Sequence, residues 1–325
     1  MSTIKNYLSL IKFSHTIFAM PFALIGFFIG TSGPLHGLDG QWNLNKTIGW
    51  RPDNGFWNYS SDSILYKINT GHDPYKTIGL GFLLVVLCMV FARSAAMAFN
   101  RYLDRRWDAM NPRTAVREIP RGIISPGSAL AFTIINCLLF ITATWFINRT
   151  CFYLSPVALA VVLGYSYTKR FTALCHIVLG LGLSLAPIGA YLAVTGMFHW
   201  LPLLFSIAVL CWVSGFDIIY ALQDVDFDRS QELYSIPAWL GKSRALRVSE
   251  GLHLLSALVV VLAGFWGGFG WLYWIGVCVF CGCLVYQHSV VKPNDLRRVN
   301  LAFMTANGIA SVVFALFVIS DLFLA

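Results

Sequence analysis

Charged side chains are scarce in this sequence. Asp, Glu, Lys and Arg make up 12% of the 325 residues, whereas a soluble domain usually has about 25%. Hydrophobic residues account for 57% of the chain, and the mean hydropathy is +0.68. So little charge indicates that lipid, rather than water, is the solvent. The basic residues also form no helix with interleaved aromatic side chains, so nucleic acid is not an expected partner.

A disulfide framework is also missing. The eight cysteines fall almost entirely inside apolar runs, where a free cysteine behaves as a small hydrophobic residue. Cys278, Cys281 and Cys283 are close together in sequence. Because they belong to one apolar run, we interpret them as packing residues rather than as a zinc site.

Nine apolar runs approach the roughly 20 residues that a transmembrane helix needs. They are residues 13–30, 78–99, 128–147, 153–167, 174–194, 201–222, 251–266, 271–290 and 301–323. The fourth and seventh runs are short. The sequence therefore predicts an all-α integral membrane protein, a bundle of eight or nine transmembrane helices.

Lysine and arginine predict how these spans are oriented. If the N-terminus is cytoplasmic, the N-terminal segment and the inner loops contain 17 of the 23 Lys and Arg residues. Cytoplasmic loops are enriched in these residues. We therefore predict a protein of the bacterial inner membrane whose N-terminus and basic loops are cytoplasmic. These loops are residues 100–127, 168–173, 223–250 and 291–300.

The predicted outer face has one long polar segment, residues 31–77, rich in Gly, Asn, Asp and aromatic residues. We interpret it as an extracytoplasmic loop insertion in a single domain that spans residues 1–325. A structured cap and a partner-binding surface both fit this composition, and the cap is favoured.

Two polar clusters at predicted inner helix ends have the same spacing. The aligned positions are Asn100 with Tyr220, Asp104 with Asp224, and Asp108 with Asp228. Residues four apart share a helix face, so each cluster is expected to present two carboxylates on one side. Weak internal repeats of this kind are typical of membrane bundles whose halves share one site.

Four carboxylates facing each other across a bundle repel one another unless cations separate them. Magnesium prefers oxygen ligands and usually binds one or two carboxylates together with substrate phosphate. The clusters therefore indicate a magnesium-dependent diphosphate site. The alternative is ion pairing with arginines nearby in sequence. These are Arg101, Arg105, Arg106, Arg113 and Arg229. The duplicated spacing favours metal.

Basic residues on the same predicted cytoplasmic side could bind the diphosphate of this site directly. Lys169 and Arg170 follow the fourth apolar run, and a cationic pair can hold a diphosphate. Ordinary anchoring of a helix end by positive charge explains them equally well. The same two interpretations apply to Arg113, Arg117 and Arg121.

Together these motifs resemble those of the UbiA superfamily of intramembrane aromatic prenyltransferases. The resemblance rests on Asn100-x3-Asp104-x3-Asp108, on Asp217-x2-Tyr220-x3-Asp224-x3-Asp228, and on segments 111–122 and 165–170. It covers nearly all of the chain outside residues 31–77. Arg101 departs from the pattern, because many members have Asp there.

The resemblance implies nine transmembrane helices around a central cavity. It also implies Mg²⁺-dependent transfer of a polyprenyl group from polyprenyl diphosphate to an aromatic hydroxy acid in quinone biosynthesis. On this mapping Asp104, Asp108, Asp224 and Asp228 are catalytic and, with Asn100, bind magnesium. The residues implied for diphosphate are Asn100, Arg113, Arg117, Lys169, Arg170 and Tyr220.

The first apolar run offers a clue to the acceptor. Residues 12–22 look more like the UbiA-like branch of futalosine-route menaquinone synthesis, which uses a dihydroxynaphthoate, than like enzymes for 4-hydroxybenzoate. Lys12, His15 and Asp217 are the candidates for binding the acceptor, with a structural role for His15 as the alternative. Competing functions are prenylation of haem or a lipid, and ion-coupled transport. Transport is disfavoured because its acids belong near helix centres.

Overall fold

The computed structural model describes residues 3–11, 18–36 and 62–324. These residues form helices, turns and one isolated bridge, and no β-strand occurs among them. The helices are α1 (Thr3–Leu10), α2 (Met20–His36), α3 (Ile64–Asn69), α4 (Pro74–Leu103), α5 (Arg105–Met110), α6 (Pro126–Ile147), α7 (Arg149–Thr168), α8 (Cys175–Thr195), α9 (Trp200–Ala221), α10 (Val225–Ser230), α11 (Ile236–Leu240), α12 (Lys242–Gly267), α13 (Trp271–Val290) and α14 (Asn307–Leu324). A 3₁₀ turn spans Leu222–Asp224, and a π-helical segment spans Leu301–Ala306. The predicted all-α class is confirmed.

Eight of the described helices are long and apolar enough to cross a membrane. The shorter α2 is also apolar, so a count of nine spans stays a prediction. The fourth and seventh predicted runs, short in sequence, correspond to α7 with 20 residues and α12 with 26. Both helices begin with polar turns, at Arg149 and Lys242, which concealed their length from a hydropathy count.

Asn148 determines where α7 begins. Its Oδ1 accepts a hydrogen bond from the Cys151 amide at 2.8 Å, which satisfies one of the free N–H groups of the first helical turn. Its Nδ2 donates to the carbonyl oxygens of Leu192 and Ala193 at 2.9 and 3.1 Å. One buried side chain therefore joins the start of α7 to the end of α8.

The predicted outer insertion is partly structured. Within it, α2 continues to His36, and Ile64 and Leu65 of α3 are buried in an apolar cluster. Asp73 caps α4, accepting a hydrogen bond from the Lys76 amide at 3.1 Å. The remainder of the predicted insertion, residues 37–61, lies outside the described residues.

The ninth helix, α9, is the most deeply packed span, with α8 and α12 as its main neighbours. Gly180 of α8 lies directly against it, because a β-carbon at this position would lie 2.5 Å from the Leu210 carbonyl oxygen and would collide with Ser214 Oγ. Small residues allow helix backbones to approach closely in membranes. This contact brings the inner half of α8 against the part of α9 that precedes the second aspartate cluster.

The helices that carry the aspartate clusters are interrupted at the clusters themselves. Asp104 ends α4 and leads directly into α5, and the 3₁₀ turn that ends at Asp224 separates α9 from α10. The sequence predicted that each pair continues one helix face. In the first cluster the Asp108 amide still bonds to the Asp104 carbonyl at 2.7 Å, and in the second the 3₁₀ turn lies before the pair rather than between its members.

Gly180→Ala is expected to lower the free energy of unfolding by about 1–3 kcal/mol, because the added methyl group meets the backbone of α9. The matched control is Gly189→Ala on the same helix, where a β-carbon meets nothing within 4 Å. That change should be neutral or slightly stabilising. Thermal melting of the purified variants in one detergent measures the difference, and equal melting temperatures would contradict the close contact.

Candidate active site

The two aspartate clusters, far apart in sequence, line one cavity of about 580 Å³. Most of the predicted site residues lie on its wall. They are Asn100, Asp104, Asp108, Arg113, Arg117, Lys169, Arg170, Asp217, Tyr220 and Asp224. The described part of the chain thus has the expected cavity within the bundle. Lys12 and His15, the other acceptor candidates, lie outside the described residues.

Asp104 has an amide and a guanidinium as neighbours. Asn100 Nδ2 donates to Asp104 Oδ2 at 3.0 Å, and Arg170 Nη2 lies 3.4 Å from Oδ1. Burial and the nearby Asp108 raise the pKa of Asp104 to about 6, although Arg170 and Lys169 oppose the shift. The raised pKa means that the ionised carboxylate is not fully compensated, so an added cation would stabilise it.

Asp108 lies buried between two arginines. Arg117 Nη1 lies 2.6 Å from Asp108 Oδ1, while Arg101 Nη1 lies 3.8 Å from Oδ2. No described residue gives Oδ2 a hydrogen bond, although this atom is buried. A buried carboxylate oxygen without a hydrogen bond costs free energy and is a suitable ligand for a hard cation.

Asp224 connects the second cluster to the segment that follows the first. Arg113 binds it in a bidentate manner, with Nε 3.0 Å from Oδ1 and Nη2 2.5 Å from Oδ2. Asn111 Nδ2 donates to Oδ1 at 3.1 Å. Arg113 also donates to the hydroxyl oxygen of Tyr220 at 3.1 Å. The planar guanidinium suits this paired geometry, so these bonds hold the two halves of the site together.

Asp228 is placed differently from the other three aspartates. It is fully buried and does not lie on the cavity wall. Lys169 Nζ lies 2.6 Å from its Oδ1, and the Ser235 hydroxyl donates to its Oδ2 at 2.9 Å. Asp224 lines the cavity and Asp228 does not, although the two residues are four apart in sequence. Magnesium binding by Asp228 stays a prediction.

Each of the four aspartates therefore has a basic partner. The pairs are Asp104 with Arg170, Asp108 with Arg117, Asp224 with Arg113, and Asp228 with Lys169. The aspartates therefore form ion pairs, as the alternative to metal binding predicted. Most of the partners are not the arginines that were proposed because they lie nearby in sequence. Across the described ranges, no group of three or more His, Cys, Asp or Glu side chains is arranged to hold a metal ion.

A second polar layer lies deeper along the helices. Arg93 lines the cavity seven residues before Asn100, roughly 10 Å further along α4. Its buried Nε has no hydrogen-bond partner among the described residues, and it takes part in none of the ion pairs found there. An arginine in this position is unusual in a membrane span, which makes this part of the wall a candidate ligand site.

His176 and Asp217 also line the cavity. His176 Nδ1 lies 2.7 Å from Asp217 Oδ2. The Ile236 amide donates to His176 Nε2 at 3.4 Å, so the proton of the neutral ring belongs on Nδ1. His176 thus donates to Asp217 and orients its carboxylate.

A family profile described as the UbiA prenyltransferase family matches residues 69–309. The chain belongs to the UbiA prenyltransferase family. The resemblance drawn from the motifs is confirmed, and the protein is a prenyltransferase. With its apolar helices, this UbiA family member is an integral membrane protein.

Similar proteins include curated relatives and solved structures. A 4-hydroxybenzoate octaprenyltransferase of Tolumonas auensis is 30% identical over 241 residues, which cover 72% of this chain and 82% of that protein. The apo structure of a UbiA homolog from Aeropyrum pernix K1 has a TM-score of 0.70 at 24% identity and covers 95% of this chain and 97% of that one. A UbiA homolog from Archaeoglobus fulgidus, bound to DMAPP and Mg²⁺, has a TM-score of 0.65 at 19% identity, with coverage of 98% and 100%. These likenesses confirm the UbiA fold.

Three residues of this UbiA family site were missed as site residues in the sequence. Arg93 was counted only as a topology signal, although a charge inside an apolar span is by itself a reason to expect a ligand. Asn111 belongs to a segment that carries the family resemblance. His176 gave no signal, because its partner Asp217 is 41 residues away along the chain.

Asp228→Ala is expected to reduce stability by about 1–3 kcal/mol, because it leaves Lys169 and Ser235 without their buried partner. Asp104→Ala is the comparison, since the Asp104 side chain is 29% exposed and Arg170 keeps its hydrogen bond to the Leu103 carbonyl. That variant should melt close to the wild type. Melting curves of both proteins test this, and an Asp228→Ala variant as stable as Asp104→Ala would contradict the structural role.

Proposed function

We propose that this protein transfers a polyprenyl group from a polyprenyl diphosphate to an aromatic hydroxy acid, in a magnesium-dependent step of quinone biosynthesis. The observation that carries the proposal is one cavity with carboxylates and bases on one part of its wall and apolar side chains on most of the rest. A diphosphate suits the charged part and an isoprenoid chain suits the apolar part. Further support comes from relatives named 4-hydroxybenzoate octaprenyltransferase and from the homolog bound to DMAPP and Mg²⁺.

The charged end of the cavity fits a diphosphate accompanied by magnesium. In this proposal Asn100, Asp104, Asp108, Asp224 and Asp228 would hold Mg²⁺, which would supply positive charge to stabilise the leaving diphosphate. The unsatisfied Oδ2 of Asp108 and the raised pKa of Asp104 support the fit to a cation. The donor's phosphate oxygens are bound by the neighbouring bases and by the Tyr220 hydroxyl. These bases are Arg113, Arg117, Lys169 and Arg170.

The apolar part of the cavity fits a long chain. Its wall includes residues of α8 from Cys175 to Ala193, roughly 27 Å at 1.5 Å per residue. Gly182, Ala186 and Gly189 lie on this wall, and their small size leaves room along the helix. A wall of this length supports a polyprenyl donor.

The deeper polar layer fits an aromatic acid as acceptor. Arg93 has no carboxylate partner among the described residues, and the acceptor's carboxylate satisfies it. Asp217, oriented by His176, accepts a hydrogen bond from the acceptor's hydroxyl. A neutral lipid acceptor would leave Arg93 without an anion. Lys12 and His15 stay further candidates for the acceptor.

The proposed reaction breaks the bond between the first prenyl carbon and the diphosphate oxygen, and the electron pair leaves with the diphosphate. A ring carbon of the acceptor then bonds to the prenyl carbon, and the proton on that ring carbon passes to the released diphosphate. Arg113 and Arg117 stabilise the departing charge because they are already oriented towards the site. The apolar wall keeps water away from the allylic cation.

The proposed setting is the inner membrane of a bacterium, with the charged end of the cavity on the cytoplasmic side. The excess of Lys and Arg in the loops at that end supports this orientation. We also propose that residues 1–325 form a single domain, with the outer insertion as an elaboration of it.

The decisive test offers two acceptors side by side. Purified protein with Mg²⁺ and a polyprenyl diphosphate should prenylate 4-hydroxybenzoate, a dihydroxynaphthoate, or both, as measured by mass spectrometry of the extracted products. Prenylation of neither, together with prenylation of haem or a lipid, would overturn the proposed acceptor class.

In the same assay Asp104→Ala and Asp224→Ala should lower turnover at least 100-fold, because each removes charge stabilisation from the reacting end. The matched control is Asp226→Ala, because Asp226 lies between Asp224 and Asp228 in sequence but is exposed and lies off the cavity wall. It should keep its activity, and full activity in both site variants would contradict the mechanism.

Arg93→Gln is expected to raise the KM for the aromatic acid roughly 10- to 100-fold, because a charge-assisted bond to the carboxylate is lost. The KM for the diphosphate should stay unchanged. An acceptor analogue without the carboxylate is the control, and the wild type and the variant should use it equally well. An equal loss with both acceptors would assign Arg93 a structural role instead.

A further inference from the structure

Four aromatic side chains lie together on the cavity wall. They are Phe18, Phe216, Tyr220 and Phe303, and we call them the aromatic wall. The ring centroids of Phe18, Phe216 and Phe303 are 5.4 to 5.6 Å apart in all three pairs. The Tyr220 ring lies 4.3 Å from that of Phe303. Three separate parts of the chain therefore supply one continuous aromatic surface.

This surface begins at the charged end of the cavity. The Tyr220 hydroxyl accepts a hydrogen bond from Arg113, and the guanidinium carbon of Arg113 lies 5.3 Å from the Tyr220 ring centroid. Arg113 in turn binds Asp224. A diphosphate bound by these groups therefore has its attached carbon next to the aromatic wall.

The backbone that carries Phe303 is irregular and is held by a buried network. Phe303 belongs to the π-helical segment Leu301–Ala306, and such segments are frequently found at functional sites. Asn307 Nδ2 donates to the Phe303 carbonyl at 3.0 Å. Asn307 Oδ1 accepts from Trp212 Nε1 at 3.0 Å and from Gln287 Nε2 at 2.9 Å. These bonds fix the position of the Phe303 backbone.

Other aromatic side chains of the same apolar core lie behind the wall. Phe22, Phe280 and Phe314 are fully buried and do not line the cavity, so packing explains them completely. Phe216 and Phe303 also pack against the core, but they belong to the cavity wall. The parts of these two rings that line the cavity therefore lie where a bound molecule would contact them.

We propose that the aromatic wall stabilises the allylic cation that forms when the prenyl diphosphate ionises, with Phe303 and Phe216 as catalytic residues. As the carbon–oxygen bond breaks, its electron pair leaves with the diphosphate, and the positive charge is shared by the first and third prenyl carbons. The negative faces of aromatic rings attract a cation, and the attraction is strongest where water is excluded. No bond forms to the rings, because the charge is consumed when the acceptor's ring carbon bonds to the first prenyl carbon. This inference rests on the proposed function and adds residues to it.

The test replaces Phe303 with phenylalanines that carry one, two and three ring fluorines. Fluorine weakens the negative ring face while nearly preserving the shape of the side chain. The single-turnover rate of diphosphate release, with polyprenyl diphosphate, Mg²⁺ and an aromatic acid present, should fall progressively and by about 30-fold over the series. The KM for the donor and the melting temperature should stay near those of the wild type. The same series at Phe216 should show a decline in the same direction.

The matched control is the same series at Phe314, which is a buried ring of the same core that does not reach the cavity. It should show no trend in rate. A flat series at Phe303 in protein that prenylates its acceptor overturns this inference alone. An equal decline at Phe314 also overturns it, because the effect then arises from packing. Absence of prenyl transfer by the wild type overturns the proposed function and this inference with it.

Discussion

Arg113 and Asp224 meet across the two halves of this molecule, and much of the site depends on the reason for that contact. A carboxylate buried in an apolar bundle costs several kcal/mol unless a cation lies beside it. Asp224 ends the 3₁₀ turn after α9, and Arg113 belongs to the loop that follows the first cluster. The same requirement joins Asp108 to Arg117 and Asp228 to Lys169. The basic loops therefore fold back onto the charged end of the cavity instead of extending into solvent.

This charge balance gives the cavity a layered organisation. Ion pairs form its charged end, and the aromatic wall follows. Arg93 and the His176–Asp217 pair lie deeper, and the apolar part extends along α8. Much of this organisation comes from α9, which contributes Phe216, Asp217 and Tyr220 within little more than one turn. The close packing of α8 against α9 at Gly180 keeps these layers in register.

The aspartates illustrate how one residue type takes different roles in one motif. Asp104 remains partly exposed in the cavity with a raised pKa, whereas Asp228 is fully enclosed by Lys169 and Ser235. Their equivalent spacing in sequence does not produce equivalent surroundings, because different side chains pack around each carboxylate. Asn100 and Arg170 lie beside Asp104, whereas Lys169 and Ser235 lie beside Asp228. The residues packed around each carboxylate thus decide whether it reaches the cavity.

The sequence by itself determined the membrane class, the positions of most spans, the two aspartate clusters and the family. These properties depend on composition, on the length of apolar runs and on spacings of a few residues, all of which act locally. Only the tertiary structure decided which base pairs with which aspartate, that Asp228 lies off the cavity wall, and that Arg93 and His176 line it. The aromatic wall was equally hidden, because Phe18 and Phe303 come from opposite ends of the chain. Such contacts depend on how the helices pack, and no local pattern records which residues far apart in sequence will meet.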